Sequence, residues 1–296
     1  MAGESVFPYI GGKSQIADWV IDNLPAHRRY VEPFSGSASV LFSKPRSPDE
    51  VINDADGDIV QFFVVLRERG DDLAEWLQDV PYARDVHEEW ARAFYDGNRP
   101  DDPVERAGRF FFLRYSQAAA KYDSKSGFKA TAFSSPAKTF ENKRERLREF
   151  GDRLRGVVVE NKDYQEMFDI YDRQNRGGDD LDVGDGTVFY CDPPYIGDRS
   201  GDEYYSVEGG FDHEEFADVL DDTEGDWVVS YDDLPEAVAE LVEAGNAFVV
   251  ERGYGARSGG YQHGESKATT ERLVTSFDPR VTPGFAAGGK QATLDY

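Results

Sequence analysis

The sequence predicts an α/β protein, a doubly wound, mainly parallel seven-stranded sheet interrupted by a helical insertion. Two observations carry this. Short β-branched and aromatic runs alternate with helical patterns along most of the chain, which is the signature of strand-helix-strand units. The alternation breaks once, between the second and third strands.

The predicted strands, in order, are Tyr30–Pro33, Val51–Asn53, Val157–Glu160, Thr187–Cys191, Trp227–Ser230, Ala247–Val250 and Leu273–Phe277. Predicted helices are Lys13–Asn23, Ser37–Ser43, Asp56–Arg69, Tyr164–Gln174, Glu214–Asp221 and Leu234–Glu243. The break, residues 71–155, reads as mostly helical with a loop over Asp123–Pro136. Residues 1–70 and 156–296 then form the α/β body. Two glycine-rich stretches, Gly177–Gly186 and Gly253–Gly264, read as flexible, and there is no internal repeat.

The tetrapeptide Asp192-Pro193-Pro194-Tyr195 stands where the apolar fourth strand ends. In open α/β sheets ligands bind beyond the carboxyl ends of strands, and two consecutive prolines stiffen an extended backbone there. Such a loop can hold an acceptor group still. Asp-Pro-Pro is also common loop punctuation, so the motif needs support from the rest of the chain.

Composition narrows the classes. No apolar run approaches the roughly 20 residues of a membrane span. The start Met1-Ala2-Gly3-Glu4-Ser5 lacks the basic and apolar regions of a signal peptide, so a cytoplasmic protein is expected. The one cysteine, Cys191, excludes an intrachain disulfide. Neither it nor the four histidines show zinc-ligand spacing, so no metal is expected. Its place in an apolar strand favours a small buried core residue over a nucleophile.

The net charge is −25, from 33 Lys and Arg against 58 Asp and Glu. Such acidity resembles that of proteins from high-salt cytoplasm, a halophilic habitat, where the Debye length shrinks to about 3 Å at 1 M salt and self-repulsion is screened. The charge is uneven. Residues 105–155 hold thirteen Lys and Arg against six Asp and Glu, a net of +7, so the remainder carries −32. Phe110, Phe111, Phe112, Tyr115, Tyr122, Phe128, Phe133 and Phe140 lie among these basic residues, and a basic, aromatic-rich island is the footprint of a nucleic-acid site. The alternative for Lys143–Arg155 is a solvated helix whose charges pair with Glu141, Glu145 and Glu149.

The first strand runs into Glu32-Pro33-Phe34-Ser35-Gly36-Ser37-Ala38-Ser39, a small-residue turn opening a helix. Phe34-x-Gly36 upstream, a basic insertion and Asp192-Pro193-Pro194-Tyr195 downstream together resemble the alpha-group, Dam-like adenine-N6 DNA methyltransferases. Tyr9-Ile10-Gly11-Gly12-Lys13 is similar to that family's N-terminal element, and Ile52-Asn53-Asp54 to its acidic strand end. Phe211-Asp212-His213 and the strand ending Ser230-Tyr231-Asp232 extend the likeness over nearly the whole chain. One departure is Ala38, which stands where the family's Phe-x-Gly-x-Gly has its second glycine. Alanine is tolerated there if the backbone φ is negative.

The resemblance implies a Rossmann-like fold, S-adenosylmethionine as cofactor, and a flipped adenine in double-stranded DNA as target. It assigns Tyr9, Gly12, Lys13, Glu32, Pro33, Phe34, Gly36, Ser37, Ala38, Asp54, Asp163, Tyr164 and Asp192 to the cofactor, and Asp192, Pro193, Pro194 and Tyr195 to catalysis. The residue types agree: Gly36 permits close backbone approach, and Asp54 is placed like the acid that bonds ribose hydroxyls in dinucleotide folds. Asp163 also suits a plain helix cap before Tyr164, and both roles can coexist. The Asp192 carboxylate and the Pro193 carbonyl would each accept an amino hydrogen, and Tyr195 would stack on the base.

Recognition of DNA falls to the insertion, with Arg114, Tyr115, Lys121, Lys125 and Lys129 as candidates. Arg257, in Arg252–Ser258, is a candidate phosphate contact in a segment that equally suits a glycine-rich hairpin turn. A restriction endonuclease is a candidate partner. Two rival readings stand: a cytosine-N4 or RNA amino-methyltransferase of the same fold, and a DNA-binding relative without catalysis.

Overall fold

The computed structural model describes residues 4–9, 11–118, 127–131, 135–172, 186–195, 210–256, 267–282 and 284–285. Seven strands are present among these residues, β1 (Arg29–Glu32), β2 (Asp49–Asn53), β3 (Val157–Glu160), β4 (Thr187–Cys191), β5 (Asp226–Tyr231), β6 (Phe248–Ala256) and β7 (Lys267–Thr275), ordered β3-β2-β1-β4-β5-β7-β6. The ladders β2·β3, β1·β4 and β4·β5 are parallel, while β5·β7 and β6·β7 are antiparallel. The mainly parallel, seven-stranded α/β architecture expected from the sequence is therefore the observed one. The chain divides into two compact units.

The first unit comprises residues 1–19 and 34–164. Its helices are α2 (Ser39–Ser43), α3 (Gly57–Gln78), α4 (Arg84–Tyr95), α5 (Pro103–Ser116), α6 (Pro136–Arg144) and α7 (Leu147–Leu154); the short α1 (Ala17–Asp22) spans the boundary. Expected as one helix, Lys13–Asn23 is instead a turn of 3-10 helix at Lys13–Gln15 followed by α1. Asp56 caps α3 by accepting from the Asp58 amide, and Asp102 caps α5 ahead of Pro103 at its first turn. The long α3 runs beyond the Arg69 expected as its end, with a kink at that residue. It packs on α5 and α7. A Cβ at Gly151 would lie 2.6 Å from the Leu66 carbonyl oxygen, so only glycine lets α7 come this close to α3. Phe7, Phe62, Phe63, Phe110 and Phe111 fill the space between, Phe62 stacked on Phe111 with centroids 5.8 Å apart.

The second unit comprises residues 20–33 and 165–296 and holds β1, β4, β5, β6 and β7. Its helices are α8 (Tyr164–Asp172), which starts at the boundary, α9 (His213–Asp221) and α10 (Glu236–Glu243). Every residue of β4 is buried, as a central parallel strand covered on both faces requires. Phe168 of α8 stacks on Phe189 of β4 at 4.3 Å, and the Trp227 indole donates to the Leu220 carbonyl. β6 and β7 pair antiparallel over more residues than the expected strands Ala247–Val250 and Leu273–Phe277. Gly253 and Gly255, read from sequence as flexible, are β6 residues paired with Thr270 and Ala268. Nothing larger than hydrogen is needed on a strand position for the backbone ladder to form, which is why composition misled here. Of the other glycine-rich stretch, residues 177–185 lie outside the described residues.

Candidate active site

In the first unit a turn and two strand ends converge. The Ser35 amide donates to the Asn53 carbonyl at 2.8 Å, and the Gly36 amide to Asp54 Oδ2 at 2.8 Å, so the loop after β1 is bound to the end of β2. Gly36 has φ of 47°, and a Cβ there would lie 2.7 Å from Tyr9 Cε1. The glycine is needed twice, for the left-handed backbone and for the tyrosine ring lying against it. The Tyr9–Lys13 turn closes through the Gly12 amide and the Tyr9 carbonyl, and a Cβ on Gly12 would lie 3.6 Å from Ser37 Oγ. Buried Lys13 donates from Nζ to the Gly11 carbonyl at 2.7 Å. Tyr9, Gly12, Lys13, Gly36, Ser37 and Asp54 are thus brought together.

Ala38 corrects an expectation. Its φ is 51° and its ψ 39°, a left-handed conformation, not the negative φ that would make alanine neutral. The Ala38 amide donates to the Ser35 carbonyl at 2.6 Å, and this tight turn forces the geometry. Alanine carries a strain of about 1 kcal/mol here that glycine would not. The position demands what the family's second glycine supplies.

Asp54 accepts from the Gly36 amide and, through Oδ1, from the Asp56 amide at 2.9 Å. Burial pushes its carboxyl up to about 7, with the neighbouring Asp56 charge adding to the effect and the two amides opposing it. Sequence reading missed the amide clasp beside it: Asn53 Nδ2 donates to the Lys162 carbonyl while the Lys162 amide donates to Asn53 Oδ1. Asn161 also donates to the Asp54 carbonyl. These bonds lock the ends of β2 and β3, placing Asp163 and Tyr164 at the start of α8. Phe34 and Tyr164 face each other with centroids 5.5 Å apart and planes 32° apart.

In the second unit, the buried strand β4 delivers the tetrapeptide. Cys191 is buried and its thiol is pushed well up by burial, as suits a core residue and not a nucleophile. Asp192 and Tyr195 are half-buried, and Pro193 and Pro194 buried. Ser230 on β5 donates from Oγ to Asp192 Oδ1 at 3.0 Å and lies 3.2 Å from the Tyr190 hydroxyl. The Tyr195 hydroxyl donates to Glu271 Oε1 at 2.6 Å, and its ring lies 5.5 Å from that of Tyr231. Buried Glu32 accepts from the Tyr30 hydroxyl, next to buried Pro33. The Tyr190 phenol is held well above its usual range by burial and then by the charges of Asp192, Glu271 and Glu32. The carboxylates of Asp192, Glu271 and Glu32 are hydrogen-bond acceptors. Neither Ser230 nor Glu271 is among the site residues that the sequence suggests.

The insertion corrects the DNA-contact list. Arg114 and Tyr115 are each 5 % exposed. The Tyr115 hydroxyl donates to the Val6 carbonyl at 2.9 Å, and the Arg114 guanidinium sits over the Phe110 ring at 5.1 Å while its charge acts on Asp56. They face inward because α5 is buried on every side from Phe110 to Ser116. Lys129 is half-buried beside an antiparallel bridge, where Gln117 pairs with Phe128 and the Lys129 amide donates to the Ser116 carbonyl. Lys121, Lys125 and Arg257 lie outside the described residues. Most of the island's other cations are paired internally: Arg144 with Glu141, Arg146 with Glu4 and Glu149, Arg148 with Asp71, and Arg153 with Glu50.

The first unit has a turn anchored to an acidic strand end, and the second has a proline-stiffened loop beyond β4, where ligands bind in open α/β sheets. The model of the D12 class N6 adenine-specific DNA methyltransferases matches residues 9–250, and the chain belongs to that family. Over 225 residues it is 25 % identical to a DNA adenine methylase of Vibrio cholerae, covering 73 % of this chain and 75 % of that one. It is 25 % identical over 193 residues to the DNA adenine methylase of Escherichia coli K12, covering 63 % of each. The Retron Ec67 DNA adenine methylase of Escherichia coli is 23 % identical over 292 residues, 93 % of this chain and 94 % of that one. The activity is methylation of the adenine amino group in DNA, and the family implies a methyl donor.

Proposed function

We propose that the donor is S-adenosylmethionine, held by the first unit's residues, and that Asp192–Tyr195 hold an adenine extruded from duplex DNA. The residues present fit that cofactor. Asp54, already bound to two amides, has the acceptor capacity for ribose hydroxyls, and the Phe34 and Tyr164 rings suit an adenine. The cofactor supplies an electrophilic methyl group on a sulfonium leaving group.

The adenine amino nitrogen is a weak nucleophile because its lone pair is delocalised into the ring. Asp192 accepts one amino hydrogen, the Pro193 carbonyl accepts the other, and the nitrogen is thereby held with its lone pair free to attack. The observation that carries this reading is the Ser230 bond to Asp192 Oδ1, which fixes the carboxylate's orientation; a carboxylate has about four acceptor sites, so one so held can still receive the substrate. Positioning and the anionic field supply the acceleration. Extrusion of the base costs a few kcal/mol, offset in part by stacking on Tyr195.

Residues 71–155 serve in this reading as the target-recognition part, with Lys129 and, outside the described residues, Lys121 and Lys125 as the candidate DNA contacts in place of Arg114 and Tyr115. In this reading the protein works in the cytoplasm, beside its DNA; among the described residues no helix is long and apolar enough to cross a membrane. The charge of −25 points to a working medium of high salt.

The test is incubation with unmethylated duplex DNA and labelled S-adenosylmethionine in molar potassium chloride, followed by nucleoside analysis. N6-methyladenine that disappears with Asp192→Ala is expected. N4-methylcytosine, label in RNA alone, or no transfer by folded, cofactor-binding protein would overturn the proposal.

A further inference from the structure

We propose that Glu271 is a positioning residue for methyl transfer: its buried carboxylate holds the Tyr195 hydroxyl and so fixes the ring on which the target base stacks. The inference rests on the stacking role given to Tyr195 above.

Glu271 lies on β7, 76 residues from Tyr195 in sequence, and is 2 % exposed. A glutamate is almost never buried this far without a partner. Here the 2.6 Å bond from the Tyr195 hydroxyl matches the short length of an O–H donor facing an ionised carboxylate. The phenol keeps its proton, because burial and then the Asp192 and Glu271 charges raise its pKa well above the usual range. It is therefore a donor throughout the working range.

The geometry explains why an anchor is needed. Tyr195 ends the stiff Pro193-Pro194 segment, but prolines fix the backbone that precedes it and leave its own χ1 and χ2 free. The strand β7 pairs with β5, placing Arg272 opposite Tyr231. Tyr231 in turn lies against the Tyr195 ring, and its own hydroxyl is 3.2 Å from His213 Nδ1. Tyr195 is thus held at its tip by β7 and along its ring by the end of β5. A planar base can stack productively only on a ring whose plane is fixed.

The experiment uses the full chain and two duplexes, one with adenine at the mapped target for kcat and KM and one with 2-aminopurine there for fluorescence, with S-adenosylmethionine affinity measured alongside. Glu271→Ala and Tyr195→Phe should each lower kcat about tenfold, the loss expected when a bond to a charged group is removed. Each should also raise the fluorescence of the extruded base as it stacks less well, with cofactor affinity unchanged. The double variant should be no worse than either single one, and Glu271→Gln, whose amide oxygen still accepts, should recover most of the loss. Additive losses, or wild-type kcat and fluorescence in Tyr195→Phe, would overturn the proposal; the latter decides the matter even if Glu271→Ala does not fold. Tyr195→Ala separates the two readings. A fully active Tyr195→Ala would sink the stacking role itself, whereas an impaired one beside a wild-type-like Tyr195→Phe would sink only the anchor.

Discussion

The strand-end loops and the basic insertion both drew attention by their unusual side chains, yet the fold uses those side chains in opposite ways. At the strand ends, Asp54 and Asp192 are oriented by hydrogen bonds from amides and a hydroxyl, and the proposed function uses both as acceptors. In the described part of the insertion, most arginines pair with carboxylates of the protein itself and most aromatic rings pack inward. Arg144, Arg146, Arg148 and Arg153 bond carboxylates of their own unit, and Phe110, Phe111, Phe112 and Phe140 form its core. A charge excess in sequence therefore measures what a segment carries, not what it offers to a partner.

The largest effect that can sharpen this contrast is structural. Glu50 is buried between Lys44 and Arg153, which hold its carboxyl below the usual range although burial alone would raise it. Glu50→Ala leaves two cations without their carboxylate and should cost about 3 kcal/mol in denaturant unfolding. Because the folded pKa is depressed, this contribution is present above the unfolded value of about 4.3 and fades as pH falls through the folded one. A change below about 1 kcal/mol would show that the pair is not structural.

At the acceptor loop, Ser230→Ala should lower kcat by about tenfold with little change in KM, since it frees Asp192 to rotate without removing it. Restoration by Ser230→Thr would confirm that the hydroxyl acts. At the donor loop the expectation is a pH dependence. A group that must be ionised to accept ribose hydroxyls, with its carboxyl at about 7, gives S-adenosylmethionine affinity that is level above that pH. Below it, affinity should fall by up to about tenfold per pH unit. Calorimetric titration should find this dependence flattened in Asp54→Asn, and an unchanged profile would remove Asp54 from the cofactor.

Ala38→Gly relieves a left-handed alanine and should raise stability by up to about 1 kcal/mol, less the entropy glycine adds to the unfolded chain. The smallest effect is in the insertion. Arg148 and Asp71 form an exposed pair, so Arg148→Gln should change stability by no more than about 0.5 kcal/mol and leave DNA affinity as it was. A clear drop in DNA affinity would restore the helical part of the island as a binding surface.

What the sequence disclosed follows the same divide. Features set by neighbours in the chain were legible: the buried run Thr187–Cys191 and the tetrapeptide after it, the turn at Gly36, the acid at the end of β2. Features set by register were not. Ser230 and Glu271 stand 38 and 76 residues from the side chains they hold, and only the strand order brings them there. The φ of Ala38 follows from a turn closed by Ser35, which composition does not reveal. Arg114 and Tyr115 misled because a helix buried all round and a basic, aromatic binding helix share one composition; only the packing of α5 separates them.

The most direct test of the account is to separate binding from transfer in Asp192→Asn. Its amide keeps the size of the carboxylate but loses the charge and one acceptor. DNA affinity should stay close to wild type, and the single-turnover methyl-transfer rate at saturating cofactor should fall by about a thousandfold. A rate within tenfold of wild type, with binding intact, would contradict the assignment of the acceptor loop.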